Sequence, residues 1–138
     1  MLQPISFKGL HHPPGFPKEL NTLGDHLLAQ RVSLGLRQKD VADRIGVSAF
    51  TILNWEKNRT IPRFRDMPAI LKFLGYNPLP APQTLSEQLL SYRRINGLSQ
   101  RDMANSLGIN PCTLSTLERG KRTNRGIKKK VKVFLDLV

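Results

Sequence analysis

The sequence predicts an all-α chain built as two tandem domains of four to five helices each, joined by a proline-rich linker. Three observations predict it. Residues 22–59 align without a gap on residues 84–121 at an offset of 62, with about a third of the positions identical, and a period that long exceeds a solenoid repeat and approaches a small domain. Within each copy the apolar residues recur at helical spacing. Glycines and capping residues interrupt that spacing at matching places in both copies. The 138 residues suffice for one ordinary domain or two small ones, a domain of about 55 residues being marginal.

The first helix is expected over 22–34 and 84–96, with Leu23, Leu27 and Leu34, or Leu85, Leu89 and Ile95, facing inward and Gly35 or Gly97 ending it. The second opens at Gln38 or Gln100. In the second copy Ser99 and Asp102 have the spacing of a capping box, whereas Arg37 holds the cap position in the first. Val41, Ala42 and Ile45, or Met103, Ala104 and Leu107, form its apolar face. Gly46 or Gly108 then supplies the positive φ of a tight turn. The third helix starts after Ser48 or Asn110, both good N-caps, and Pro111 occupies a first helical position where its missing N–H costs nothing. A fourth helix closes each copy, with Ile70, Phe73 and Leu74 answering Val131, Phe134 and Leu135 at an offset of 61. KVKVFLDLV also alternates with period two, so a terminal strand competes there; the parallel with 67–74 favours a helix. The expected domains are therefore 22–77 and 84–138. Residues 1–21, with His11, His12 and four prolines, read as a flexible arm, and 78–83, within GYNPLPAPQ, as a stiff linker.

Twenty-two Lys and Arg residues against ten acidic ones give a formal charge of +12 and a pI near 10.6, so the natural partners are polyanions, either nucleic acid or an anionic membrane surface. No apolar run approaches the roughly 20 residues of a membrane span, and MLQPISFKGL lacks the pattern of a signal peptide. No membrane association is expected, and the chain reads as cytoplasmic and associated with the bacterial nucleoid. Cys112 has no cysteine to pair with and no ligand-spaced neighbour, which agrees with a reducing compartment and with the absence of a metal. His11 and His12 read as solvated residues of the arm. The sequence holds no Ser/His/Asp set, paired carboxylates, phosphate-cradling glycine loop or metal-spaced ligands, so neither an enzyme nor a cofactor is expected.

Two short helices joined by a glycine-containing turn, the second entered through a cap, make a helix-turn-helix. On a helical wheel of the third helix, Ile52, Trp55 and Glu56 group on one side, and Ala49, Phe50, Leu53, Asn54 and Lys57 on the other. In the second copy Leu114, Leu117 and Glu118 face inward and Cys112, Ser115, Thr116 and Arg119 outward. An outward Phe50 and Leu53 suit a major groove, where apolar groups meet thymine methyls, and Asn54 has the geometry to bond adenine. Trp55 reads as a core anchor. Lys57, Arg59, Arg63 and Arg65, and Arg119, Lys121, Arg122 and Arg125, form basic loops after these helices. They are expected to hold phosphates, with Thr51 and Thr113 counted alongside them. The run 128–130 reads equally as a phosphate contact or a solvated helix face.

The pattern Q-x-D-x-A-x-x-x-G-[VI]-x-x-x-T-[IL]-x-x-[WL]-E occurs as Gln38, Asp40, Ala42, Gly46, Val47, Thr51, Ile52, Trp55 and Glu56. It occurs again as Gln100, Asp102, Ala104, Gly108, Ile109, Thr113, Leu114, Leu117 and Glu118. Each resembles the XRE/Cro/C1 family of bacterial and phage DNA-binding domains, over about 22–77 and 84–138. The resemblance implies a lambda-repressor-like fold. It implies base reading by the first, second and sixth residues of the third helix, here Ala49, Phe50 and Asn54, and Pro111, Cys112 and Thr116. It also implies phosphate contact by Gln38 and Gln100 and structural ion pairs Arg31–Glu56 and Arg93–Glu118.

The expected function is therefore sequence-specific binding of double-stranded DNA by a bacterial or mobile-element transcriptional regulator. Because the outward residues differ between copies while the scaffold residues agree, the site is expected to be asymmetric or bipartite, read by helices 49–57 and 111–119. Two alternatives share the fold: an antitoxin or accessory factor for recombination or transposition, and a protein-interaction adapter using Phe50 and Leu53. A homodimer is compatible with the sequence, as is a protein partner such as a toxin, a polymerase or the recombination machinery.

Overall fold

The computed structural model describes residues 12–138, which contain eight α-helices and no strand. The chain divides into two compact units, one ending at Pro80 and the other spanning Ala81–Val138.

The first unit holds α1 (Leu23–Ser33), α2 (Gln38–Ile45), α3 (Ala49–Glu56) and α4 (Met67–Leu74), the last entered through a 3-10 turn at Phe64–Asp66. Thr22 opens α1 with a capping box: its hydroxyl accepts the Asp25 N–H at 3.1 Å, and the Asp25 carboxylate accepts the Thr22 N–H at 3.1 Å. Ser48 caps α3 by accepting the Thr51 N–H. At the head of α2, Asp40 accepts both the backbone N–H and the guanidinium of Arg37, so an ion pair stands where a hydroxyl cap is missing. Leu27, Val41, Ala42, Ile52, Trp55, Met67, Ile70 and Leu74 form the core.

The second unit is built from α5 (Leu85–Ile95), α6 (Gln100–Leu107), α7 (Pro111–Glu118) and α8 (Arg125–Leu137). Ser99 accepts the Asp102 N–H, and Asn110 accepts that of Cys112. Leu89, Met103, Ala104, Leu107, Leu114, Leu117 and Val131 make the core. Tyr92 meets Phe134 edge to face at 5.4 Å beside it. The terminal segment is helical, not a strand: Val131 is fully buried with Phe134 and Leu135 packed beside it, a spacing of three and four that only a helix places on one face.

Several expectations need correction. Leu34 and Ile95 do not face inward but are 50% and 38% exposed. Each lies at the end of its helix, and the chain then reverses through Gly35 and Gly97, at φ of 67° and 66°. That reversal brings Leu36 and Leu98 against the cores instead. The segment 78–83 does not start as free linker, because Leu79 packs against the first core. Just before it, the Tyr76 hydroxyl lies 2.6 Å from His26 Nδ1. Of the expected arm, residues 1–11, His11 included, lie outside the described residues. The remainder is tied down at its end: Leu20 is buried at 4% exposure, and the Asn21 N–H donates to Asp25 at 2.9 Å. His12 stacks on Phe16 with ring centroids 4.1 Å apart.

Candidate nucleic-acid interface

In each unit one carboxylate at the end of the third helix fixes that helix to the other two. Glu56 is 7% exposed. It accepts Arg31 Nε at 2.6 Å and Nη2 at 2.9 Å, a bidentate pair, while Arg31 Nη1 donates to the Leu36 carbonyl at 3.0 Å. Glu118 accepts Arg93 Nε at 2.6 Å and Nη2 at 3.1 Å, and Arg93 Nη1 reaches the Leu98 carbonyl. A charge-assisted fork of this kind constrains orientation as well as distance. The sequence did not show that a glutamine completes each network: Gln38 Nε2 donates to Glu56 Oε1, and Gln100 Nε2 to Glu118 Oε2, both at 3.0 Å. These glutamines, expected as phosphate ligands, thus have one amide hydrogen committed to the protein at the head of α2 or α6. The second amide hydrogen is left beside helix N–H groups that favour an anion.

The same end of α3 also rests on two residues the motif does not contain. A Cβ added at Gly24 would lie 2.0 Å from the Trp55 carbonyl oxygen, so α1 approaches the end of α3 as closely as only glycine permits. Asn58, just past α3, has φ of 58°, the one left-handed non-glycine among the described residues. It is held there because its Oδ1 accepts the Thr22 hydroxyl at 2.7 Å and its Nδ2 donates to Asp25 at 3.3 Å. Gly120 takes the same place after α7, with φ of 72°. Trp55, 3% exposed, and Ile52, fully buried, anchor the inner side of α3.

The outer side of α3 is then presented from a fixed frame. Ala49 is exposed, Phe50 is 67% exposed, and Leu53 and Asn54 are half-buried. Among the described residues the Asn54 carboxamide has no hydrogen-bond partner, while its backbone carbonyl accepts the N–H of Arg59 at 2.9 Å and closes the following loop. Thr51 meets Ser48 hydroxyl to hydroxyl at 2.9 Å. Lys57, Arg59 and Arg63 are exposed around that loop; Arg65 lies 3.9 Å from Asp66. At its tip Ile61 is 88% exposed, an apolar residue the charge pattern concealed.

The outer side of α7 carries shorter chemistry. Pro111 and Cys112 are exposed, and Ser115, Thr116 and Thr113 are half-buried. The Thr116 hydroxyl donates back to the Cys112 carbonyl at 2.9 Å, and Arg119 Nε donates to the Ser115 carbonyl at 3.3 Å. Arg119, Lys121, Arg122 and Arg125 are all exposed.

Among the described residues no helix is long and apolar enough to cross a membrane. No curated protein and no solved structure gives a significant match. Residues 27–79 match the model of the helix-turn-helix family, a span from α1 to just beyond α4. The match and the geometry of α2 and α3 together support an XRE-type helix-turn-helix within residues 27–79, and with it DNA as the partner.

Proposed function

We propose that the protein is a sequence-specific regulator that binds double-stranded DNA through α3 and α7. The observation that carries this reading is the outer face of α3. It holds an exposed phenyl ring and a carboxamide without a hydrogen-bond partner among the described residues, mounted on a helix whose inner face is locked by Trp55 and the Arg31–Glu56 fork. An aromatic ring two-thirds exposed to water has its natural counterpart in thymine methyls, and the neighbouring Asn54 in the adenine edge. Arg59, Arg63 and Lys57, and Arg119, Lys121, Arg122 and Arg125 in the second unit, would hold phosphates and fix the register. Because α3 and α7 present different groups, the site is asymmetric.

Selection of bound sequences from random duplexes at about 150 mM salt is the test, since non-specific binding is weak at that ionic strength. A defined motif is expected. Phe50→Ala and Asn54→Ala should each relax the choice of base at their own positions, at about 1–3 kcal/mol per position, whereas Arg59→Ala should weaken all sequences alike. Failure to recover any motif would sink the reading and favour a protein partner at Phe50 and Leu53.

A further inference from the structure

The helix that closes each unit differs in charge more than any other pair of corresponding elements. In the first unit α4 reads MPAILKFL and carries one cation, Lys72. In the second, α8 reads RGIKKKVKVFLDL. Arg125, Lys128, Lys129 and Lys132 fall at i, i+3, i+4 and i+7, so they form one continuous row along a helix face. All four are exposed, and none belongs to an ion pair among the described residues. Next to the row, Lys130 Nζ lies 3.4 Å from the carbonyl of Gly108, the turn residue between α6 and α7. The cationic helix therefore stands beside the turn that delivers α7. Its main apolar side is used by the core through Ile127, Val131, Phe134 and Leu135, and the large apolar side chains left exposed are Val133 and Leu137, with Val138 just beyond, a patch far smaller than the continuous apolar face of a helix that lies on a lipid surface. The charge suits a phosphate backbone.

The reading helix of this unit points the same way. Of its outward groups Pro111 has no polar side chain, Cys112 is a weak donor, and the Thr116 hydroxyl gives its hydrogen to the helix. The short Ser115 hydroxyl has no hydrogen-bond partner among the described residues. The outer face of α7 carries no carboxamide, and the guanidinium of Arg119 lies past its last turn with Nε donating back to the Ser115 carbonyl at 3.3 Å, so the first two turns lack the groups whose bidentate base contacts discriminate strongly. Residues 84–138 hold eleven Lys and Arg against four acidic residues, while 22–77 hold nine against five.

From these observations, and resting on the DNA-binding reading above, we infer a division of labour: the second unit is a sequence-tolerant phosphate clamp built on the Arg125–Lys132 row, and the first unit chooses the sequence. The asymmetry of the site is then one of kind. One stretch of duplex is read and the adjoining stretch is merely held.

Two alanine variants, and an arginine control for the first, test this alongside the wild-type chain. With Lys128, Lys129 and Lys132 all changed to Ala, the slope of log K against log salt should fall by about 0.9 for each phosphate that is no longer neutralised. Cognate and random duplexes should weaken by the same factor. Changing the three lysines to Arg should restore the slope, which a mere folding defect in the alanine variant would not predict. With Cys112, Ser115 and Thr116 all changed to Ala, selection should return the wild-type motif unaltered. Loss of preferred bases in that second variant, or an undiminished salt slope in the first, overturns the inference while leaving sequence-specific binding intact. A wild-type chain that selects no motif removes the parent reading, and this one with it.

Discussion

Gly24 shows how one missing methyl sets the geometry of a reading surface. With the Trp55 carbonyl 2.0 Å from where a Cβ would sit, Gly24→Ala must push α1 off the end of α3, an overpacking that costs about 1–3 kcal/mol. The expected outcome is a fall in the melting temperature of the first unit of about 4–8 °C per kcal/mol, read by circular dichroism. His26 makes a second residue-level prediction. Burial lowers its pKa below the ordinary value of 6.5, against a smaller opposing pull from Asp25. The unfolded chain therefore takes up the proton before the folded one does, and folding stability should be full above the ordinary value and decline as pH falls toward the lowered one. Melting at pH 7.5 and 5.5 should show this loss, and His26→Gln should flatten it. Neither residue announced its role in the sequence. Gly24 has Ser86 as its counterpart in the second copy, and the approach it permits exists only once α1 and α3 are packed.

At the scale of elements, the helices were legible because caps, glycines and apolar spacing agree with one another. Thr22, Ser48, Ser99 and Asn110 each accept the backbone N–H that a cap should. What periodicity misjudged were helix ends: Leu34 and Ile95 continue the apolar pattern, but a left-handed glycine turns the chain before they can be buried, and Leu36 and Leu98 fill the space. The Arg31–Glu56 pair is implied by resemblance to a family, whereas Gln38 and Gln100 join those networks only once the second helix packs against the third. Because Glu56 satisfies three donors at one end of α3, Glu56→Ala would leave a largely buried guanidinium uncompensated. A loss of about 3–5 kcal/mol is expected, visible as a lower denaturation midpoint. Ser48→Ala should cost about 1 kcal/mol by the same measurement.

For the whole molecule, the two cores close within their own units, one ending at Pro80 and the other beginning at Ala81. Residues 12–80 and 81–138 made as separate polypeptides should accordingly each give a cooperative helical melt, and a fragment without one would show that its core is incomplete. The doubled pattern in the sequence raises the expectation of two domains. It gave no hint that two residues outside the motif would be covered too, Leu20 by burial and Leu79 by packing on the first core. Both lie in proline-rich stretches whose composition reads as loop, and loop composition says nothing about which side chain docks.

Cys112, the sole thiol of the chain, is exposed in the first turn of α7. A maleimide fluorophore would therefore attach at that face without any engineered change. Alkylation of the unmodified protein, slowed when a duplex is present, gives a direct footprint of where the second unit sits.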